Sequence, residues 1–542
     1  MTLASPLALF GALVDSSAWP ALRVVLHIGF FVAVAFILRE ILHLVTGGTG
    51  AGTGAGGKGR AAKPSVLAPL SHLPLLGLGL AFAAVLGYQA SWQLAGVFRP
   101  EFVAFMQSHD RREFNPAHLI RRGRILDRTG AVLAYSQESQ GHVSRVYPFG
   151  PAFAHAVGYT DPRFGVTGAE AAANTRLNGG SPDNLAAWTE LGRHLLTQDK
   201  RLRGQDLVLN LDARLQVSAL QGLGKRRGAV IALRPRDGAI LVLASAPTFD
   251  PNQIGPDLFQ GDNPATPLLN RATQGFYPPG STFKVVVAAM AIDAGFSGTI
   301  NCPPEGYTTS RRYPPIRDHE FYAARGWRGH GNLDLAKAFA ESSNVFFAQL
   351  GVRLGHDALD AAAERFGFDR QVRLYPGSDR AGNMSTGRIP RLSKSDLYGL
   401  AQASIGQGRV LATPAHMGLI AAAVANGGLA MRPRLLADEP PAPLARYMAP
   451  ATSRRLTGLM RKVVSSGTAK GIDVPELAIA GKTGTAENPQ GEAHSWFVGF
   501  APADDPDLAV AVLVEHGGYG SATAAPIARD LLVQARDLGI IR

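Results

Sequence analysis

Apolar and polar positions follow three patterns along this chain, and each predicts a different kind of element. Residues 64–98 carry no charged side chain, and LPLLGLGLAFAAVLGYQASW within them is strongly apolar. A membrane-crossing helix needs about 20 such residues, so one is expected over 68–92, with Tyr88 and Trp92 in an interfacial belt. Lys58, Arg60 and Lys63 precede it, which places its N-terminal side in the cytoplasm and everything after about residue 95 outside. An earlier run, VVLHIGFFVAVAFIL (24–38), lies between Arg23 and Arg39 and has a marginal length for a span. Over 24–45 it either crosses, forming a hairpin with the second segment, or lies along the surface; crossing is the favoured reading. Residues 1–23 are then an N-terminal tail, and the Gly-rich 46–64 a flexible cytoplasmic linker. The start of the chain lacks the charged, apolar, small-residue order of a cleaved signal peptide, so an uncleaved anchor is expected.

From residue 97 the pattern is that of a soluble chain of mixed α and β structure. RRGRILDRTGAVLA (121–134) reads as two short strands around a turn at Arg128–Gly130, and DLVLNL (206–211) as a strand followed by a helix. GAVIALRP and GAILVLASA, joined at Pro235–Gly238, predict a β-hairpin; HSWFVGFAP and LAVAVLVEH, joined at Ala503–Pro506, predict a second. AAPIARDLLVQAR at the end has the helical period. Strands therefore bracket a helical middle over about 281–470, which favours an α+β domain: an antiparallel sheet with helices packed on it. The expected division is a small pedestal over 97–205 and a main domain over 206–542.

Composition narrows the class. Of 542 residues, 62 are Gly and 36 Pro, below the share of a low-complexity chain, and the apolar fraction of 46% supports a packed core. Disorder, collagen and coiled coil are excluded for the whole. One cysteine, Cys302, rules out an internal disulfide scaffold and leaves the redox compartment open. The net charge is 54 − 42 = +12. No dense Lys/Arg stripe with interleaved aromatics accompanies it, so nucleic acid is not the expected partner.

Three short motifs carry candidate chemistry. Ser281-Thr-Phe-Lys284 follows Pro278-Pro279-Gly280 and opens an apolar run, which marks a helix start. A spacing of three puts Ser281 and Lys284 on one face. A serine hydroxyl needs a neighbouring base, and a lysine serves if burial or a second cation lowers its pKa from about 10.4 towards 7. The helix N-terminus would add backbone N–H groups for an oxyanion. Ser342-Ser343-Asn344 lies between two helical stretches; Ser342 suits a proton relay and Asn344 a substrate amide, while helix capping is the favoured reading of the cluster taken alone. Lys482-Thr-Gly-Thr485 follows an apolar strand. Thr483 and Thr485 should point one way, Gly484 should let a ligand approach the backbone, and Lys482 with the two hydroxyls would hold a carboxylate. Lys482 is also a candidate for the second cation beside Lys284. Singly, each motif reads as ordinary structure. The ordered set, 61 and then 140 residues apart, is the set found in penicillin-binding proteins and class A β-lactamases.

With these motifs the chain resembles the class B penicillin-binding proteins, monofunctional peptidoglycan D,D-transpeptidases, and among them the short-pedestal PbpA type. RVYPFGPAFAHAVGY, GDNPATPLLNRATQGFYPPGSTFKV, FAESSNVFFAQLG, SIGQGRVLATPAHM, GKTGTAEN and HSWFVGFAP carry the likeness, which runs from about residue 120 to the C-terminus. The middle motif is Ser-Ser-Asn where the family often has Ser-Cys-Asn or Ser-Asp-Asn. Two hydrophobic segments stand where members usually have one span, and the pedestal is short.

The resemblance implies a β-lactamase/transpeptidase-like domain in which Ser281 attacks the penultimate D-Ala carbonyl of a stem peptide. It implies Lys284 as base, Ser342 as proton shuttle, Asn344 on the substrate amide, and Lys482, Thr483, Gly484 and Thr485 around the terminal carboxylate. The N–H groups of Ser281 and Thr485 would form the oxyanion hole. No metal or organic cofactor is implied. β-Lactams would acylate Ser281, a RodA/FtsW-type polymerase would be the membrane partner, and the catalytic domain would lie on the outer side of the plasma membrane. Three other classes are weighed against this one. A class A β-lactamase needs a glutamate base, and no Glu-x-x-x-Asn occurs between residues 345 and 481. A non-catalytic sensor or scaffold is disfavoured by intact motifs and by a cytoplasmic part that is only a short loop. A bifunctional class A protein is disfavoured because about 110 residues between membrane and strand 206 are too few for a polymerising domain. His330 and His494 lie near motifs and are read as structural.

Overall fold

The computed structural model describes residues 120–139, 142–179, 202–260, 263–375, 382–489 and 491–542, with Arg39 and seven helical positions between 77 and 87. Met1–Arg112 and Glu113–Arg542 are separate compact units. Among the described residues no helix is long and apolar enough to cross a membrane. The expected tail, linker and crossings at 1–23, 24–45, 46–64 and 68–92 lie outside the described residues, apart from those scattered positions.

Both expected hairpins form. β1 (Gly228–Leu233) pairs antiparallel with β2 (Ile240–Ala246) across the Pro235–Gly238 turn. β3 (Ala480–Asn488), β4 (Gly491–Ala501) and β5 (Leu508–Val514) complete a five-stranded sheet in the order β2-β1-β5-β4-β3, antiparallel throughout. β1, β2 and β5 are buried along their whole length, so their sequences read as near-continuous apolar runs rather than alternation. Such strands need cover on both faces.

Helices supply that cover. α1 (Ala213–Leu223) lies on one face, where Gly228 meets Leu223. Residues of opposite parity, Ile231 and Leu233, meet Gly418 of α5 (Pro414–Ala425) on the other face. α5 is apolar on every face but for the buried, hydrogen-bonded His416, as a helix enclosed by sheet and helices must be. Each fully buried Leu, Ile or Met there stabilises the fold by roughly 1.5–3 kcal/mol. The expected C-terminal helix is α7 (Ala524–Asp537), with Ile527 against Gly222 of α1. The helical middle contributes α2 (Lys284–Asp293), α3 (Leu335–Glu341), α4 (Asn344–Leu354) and α6 (Pro450–Ser465). This is the α+β arrangement that the segregation of strands and helices predicts.

The pedestal part pairs Ile125–Leu126 with Val132–Ser139 around the expected turn. The strand expected at 206–211 is short: Leu207–Val208 runs parallel to Ile125–Leu126 and closes the pedestal's four-stranded sheet. A buried Glu170 there is held by Arg122 at 2.5 Å and Arg145 at 2.7 Å. Asp127 joins the two parts: its turn-closing carboxylate also accepts from the Ala213 N–H at the start of α1, 2.9 Å away.

Candidate active site

β3 is the edge strand of the sheet, so it presents backbone groups outward. The segment Tyr277–Phe283 is pressed against that edge. Tyr277 bridges to Ala412, the Trp496 indole N–H donates to Pro278 O at 2.9 Å, and Gly280 N–H donates to Gly406 O at 3.0 Å. Gly280 has φ +52°, and a Cβ there would lie 2.6 Å from Thr485 O, so only glycine fits. The expected helix start at Ser281 is a 3-10 turn, Gly280–Phe283, with α2 beginning at Lys284. Residues three apart eclipse in a 3-10 turn. That brings Ser281 Oγ to 3.0 Å from Lys284 Nζ.

Lys284 is fully buried. Its ammonium nitrogen lies 2.6 Å from Ser342 O, 2.8 Å from Asn344 Oδ1 and 3.3 Å from Ser342 Oγ, over the Phe347 ring. Asn344 Nδ2 donates to Arg317 O at 3.1 Å, and a carbonyl only accepts, so Oδ1 must face Lys284. A neutral amine has two N–H bonds and one lone pair. Ser342 O and Asn344 Oδ1 can only accept, so they take both N–H bonds. The lone pair is then left for a hydroxyl proton, and Ser281 supplies one. Burial pushes the Lys284 pKa down to about 7, against the pull of the Asp318 and Glu320 carboxylates. The amine therefore reaches its basic form near neutral pH.

Ser342 sits in the left-handed region, φ 61° and ψ 35°, where it ends α3. That conformation costs a non-glycine residue roughly 1–2 kcal/mol. It turns both Ser342 O and Ser342 Oγ towards Lys284. Ser343 next to it caps α4, accepting from Phe346 N–H. Relay and capping thus fall on adjacent residues. Ser342→Ala and Ser342→Gly are each expected to slow acylation by a penicillin about 10²-fold or more through loss of the relay. Ser342→Gly should be the more stable of the two by about 1 kcal/mol because it relieves the strain. Stopped-flow labelling and thermal melts check both; equal acylation in all three proteins would remove Ser342 from the reaction.

Lys482 is also fully buried, over the Phe339 ring, and donates to Ser342 Oγ at 2.8 Å. Both lysine nitrogens thus lie within 3.3 Å of one hydroxyl oxygen. Burial first, and the Lys284 charge second, hold Lys482 well below the usual lysine range. For Lys284 burial is the lowering cause and the nearby charges are carboxylates that oppose it, so the expected depression of Lys284 by Lys482 is not seen; the charge effect falls on Lys482 instead. The two threonine hydroxyls of that motif each have another partner within the protein. Thr483 Oγ1 pairs with Thr468 Oγ1 at 2.7 Å, and Thr485 Oγ1 accepts from Gly520 N–H at 3.4 Å. The space beside Gly484 is taken by the protein: a Cβ there would lie 2.8 Å from Thr282 Cγ2 and 3.1 Å from Pro279 O. Gly484 lets the serine turn close onto β3, where the sequence suggested room for a ligand.

Residues 228–533 match the model of the penicillin binding protein transpeptidase domain, and residues 122–204 that of the penicillin binding protein A dimerisation domain. The chain belongs to the penicillin-binding protein transpeptidase family. This penicillin-binding protein is 36% identical to the peptidoglycan D,D-transpeptidase PbpA of Mycobacterium tuberculosis over 445 residues, covering 75% of this chain and 87% of that one. Its fold is similar to that of penicillin-binding protein A from M. tuberculosis in a ceftriaxone acyl-enzyme complex, with TM-score 0.69 and 32% identity over 77% of this chain and 99% of that one. It is also similar to PBP2 of Pseudomonas aeruginosa, with TM-score 0.63 and 31% identity over 77% of this chain and 95% of that one.

Two residues of this penicillin-binding protein that shape the site escaped sequence reasoning. Trp496, fully buried, holds the serine turn, and Asp318, nearly so, lies behind the Ser342–Asn344 turn. Neither sits in one of the three catalytic motifs; within HSWFVGFAP Trp496 reads as one more apolar residue of β4, and Asp318 reads as one acid in an irregular stretch. His494 accepts from His516 N–H at 3.1 Å and stacks edge-on against Tyr277. Among the described residues no group of three or more His, Cys, Asp or Glu converges as metal ligands would.

Proposed function

We propose that this protein is a serine D,D-transpeptidase that crosslinks peptidoglycan stem peptides and is acylated by β-lactams. The observation that carries the reading is the 3.0 Å approach of Ser281 Oγ to a buried Lys284 whose two N–H bonds are taken by acceptors. Ser281 Oγ attacks the penultimate D-Ala carbonyl as Lys284 takes its proton. The developing oxyanion rests on the N–H groups of Ser281 and Thr485. The C–N bond breaks, the terminal D-Ala amine takes a proton relayed through Ser342, and an ester on Ser281 remains. An amine of a neighbouring stem attacks that ester, and Ser281 recovers its proton. Lys482 keeps the Ser342 hydroxyl oriented. Thr483 and Thr485 are the hydroxyls offered to the terminal carboxylate, Gly484 lets the serine turn close onto β3 beside them, and Asn344 fixes Lys284 while its turn faces the substrate amide.

The apolar segments at 24–45 and 68–92 support a plasma-membrane anchor with the globular part outside, beside a RodA/FtsW-type polymerase that supplies glycan strands. Detergent-dependent extraction and co-purification of such a polymerase test this; extraction by salt alone would sink the anchor. For the reaction, full-length protein in detergent is incubated with nascent peptidoglycan polymer. Equal release of D-Ala and crosslinked dimers is expected. D-Ala release with no crosslink would make it a carboxypeptidase, and β-lactam hydrolysis without either would make it a β-lactamase.

A further inference from the structure

We infer that Asp318 is a positioning residue for acyl transfer: its carboxylate, with the Arg317 carbonyl beside it, clasps residues 343–345 from behind and fixes where Ser342 and Asn344 meet Lys284. The inference rests on the transpeptidase reading of the site. Two adjacent residues hold three consecutive ones. Arg317 O accepts from Asn344 Nδ2 at 3.1 Å, Asp318 Oδ1 from Val345 N–H at 3.0 Å, and both Asp318 oxygens from Ser343 Oγ at 3.1 Å. Asp318 is 3% exposed, while just over half of the residues in the 303–330 segment that carries it are exposed to solvent. Val345 N–H belongs to the first turn of α4, where amide donors lack helical partners and negative charge is favoured.

The clasp does two separable things. It sets the turn geometry, since Ser342 O and Asn344 Oδ1 are the acceptors that orient the Lys284 amine. It also places a carboxylate where it stabilises the charged form of Lys284. The groups facing Asp318 are Lys284 from α2, the Cys302 thiol from the strand Thr299–Cys302, and His330, whose Nε2 lies 3.8 Å from Asp318 Oδ2 and 3.8 Å from Glu320 Oε2. Glu320 also favours charged Lys284, and Glu341 at the end of α3 reaches His330. The Glu320 carboxylate draws the His330 pKa upward.

Asp318→Asn keeps the shape and removes the charge. Acylation of full-length protein by a fluorescent penicillin is followed from pH 5 to 9, with melting temperature measured alongside. The expected result is a plateau rate about 10-fold lower, because small misplacement of reacting groups is costly, and an acid limb moved to lower pH, because Lys284 loses a neighbour that favoured its charged form. Ser343→Ala leaves the Asp318 charge in place and loosens the clasp, so its plateau should fall several-fold with the limb unmoved. A wild-type rate in Ser343→Ala overturns the positioning role. So does an Asp318→Asn protein slowed equally at every pH, in step with its lost stability. Should Asp318→Asn not fold, the Ser343→Ala plateau decides alone. Absence of an adduct on the wild type would instead overturn the transpeptidase reading, and this inference with it.

Discussion

Ser281→Ala protein is expected to show no covalent adduct with fluorescent penicillin, while wild type gains one adduct mass per chain. The hydroxyl is the single atom removed, and its described contact is the 3.0 Å bond with Lys284. The backbone turn stays pinned by Trp496, Gly406 and the close approach of Gly280 to β3, so the fold should survive. Acylation should fall by four orders of magnitude or more, in line with about 10⁶-fold losses when a serine nucleophile is deleted. An adduct persisting on Ser281→Ala, mapped by peptide mass to Ser342, would reassign the nucleophile and with it the direction of proton transfer.

Lys284→Met should abolish both the fast acylation and its acid limb. Wild-type acylation is expected to rise with pH and level off above about 7, the value to which burial lowers Lys284. Only the neutral amine can accept the Ser281 proton. Removing a positioned base typically costs 10²–10⁴-fold, and the residual rate of Lys284→Met should be nearly flat between pH 6 and 8. Stability carries the same signature. The folded-state pKa lies below the unfolded value of 10.5, so between about 7 and 10.5 the unfolded chain binds the extra proton and stability rises with pH. The contribution is fully present above 10.5 and lost as pH falls through 7, on the order of 5 kcal/mol for this shift. Lys284→Met should flatten that rise in denaturant titrations at several pH values. A limb that survives in Lys284→Met would place the titrating base elsewhere.

Local features of this protein are legible in its sequence because their causes are local. The two hairpins of the main sheet follow from apolar runs joined by short Gly- or Pro-containing turns. The three motifs name the chemical players, Ser281, Lys284, Ser342, Asn344 and Lys482, because hydroxyl, amine and amide are properties of residue types. What the sequence does not contain is which groups meet. Burial of Lys284 and Lys482 arises from Phe339, Phe347 and the packed turns around them, so the lowered pKa values belong to the assembled core. Gly484 carries no sign that its missing side chain makes room for Thr282. Asp318 lies 25 residues from Ser343 and outside any periodic pattern, so nothing local announces its clasp. By itself the sequence determined the residue chemistry, the hairpins and the order of elements, which short-range sterics and periodicity dictate. The tertiary structure alone decided the 3.0 Å approach of Ser281 to Lys284 within a dry setting, since only long-range packing can exclude water and bring two lysines, 58 and 140 positions away, onto the Ser342 hydroxyl.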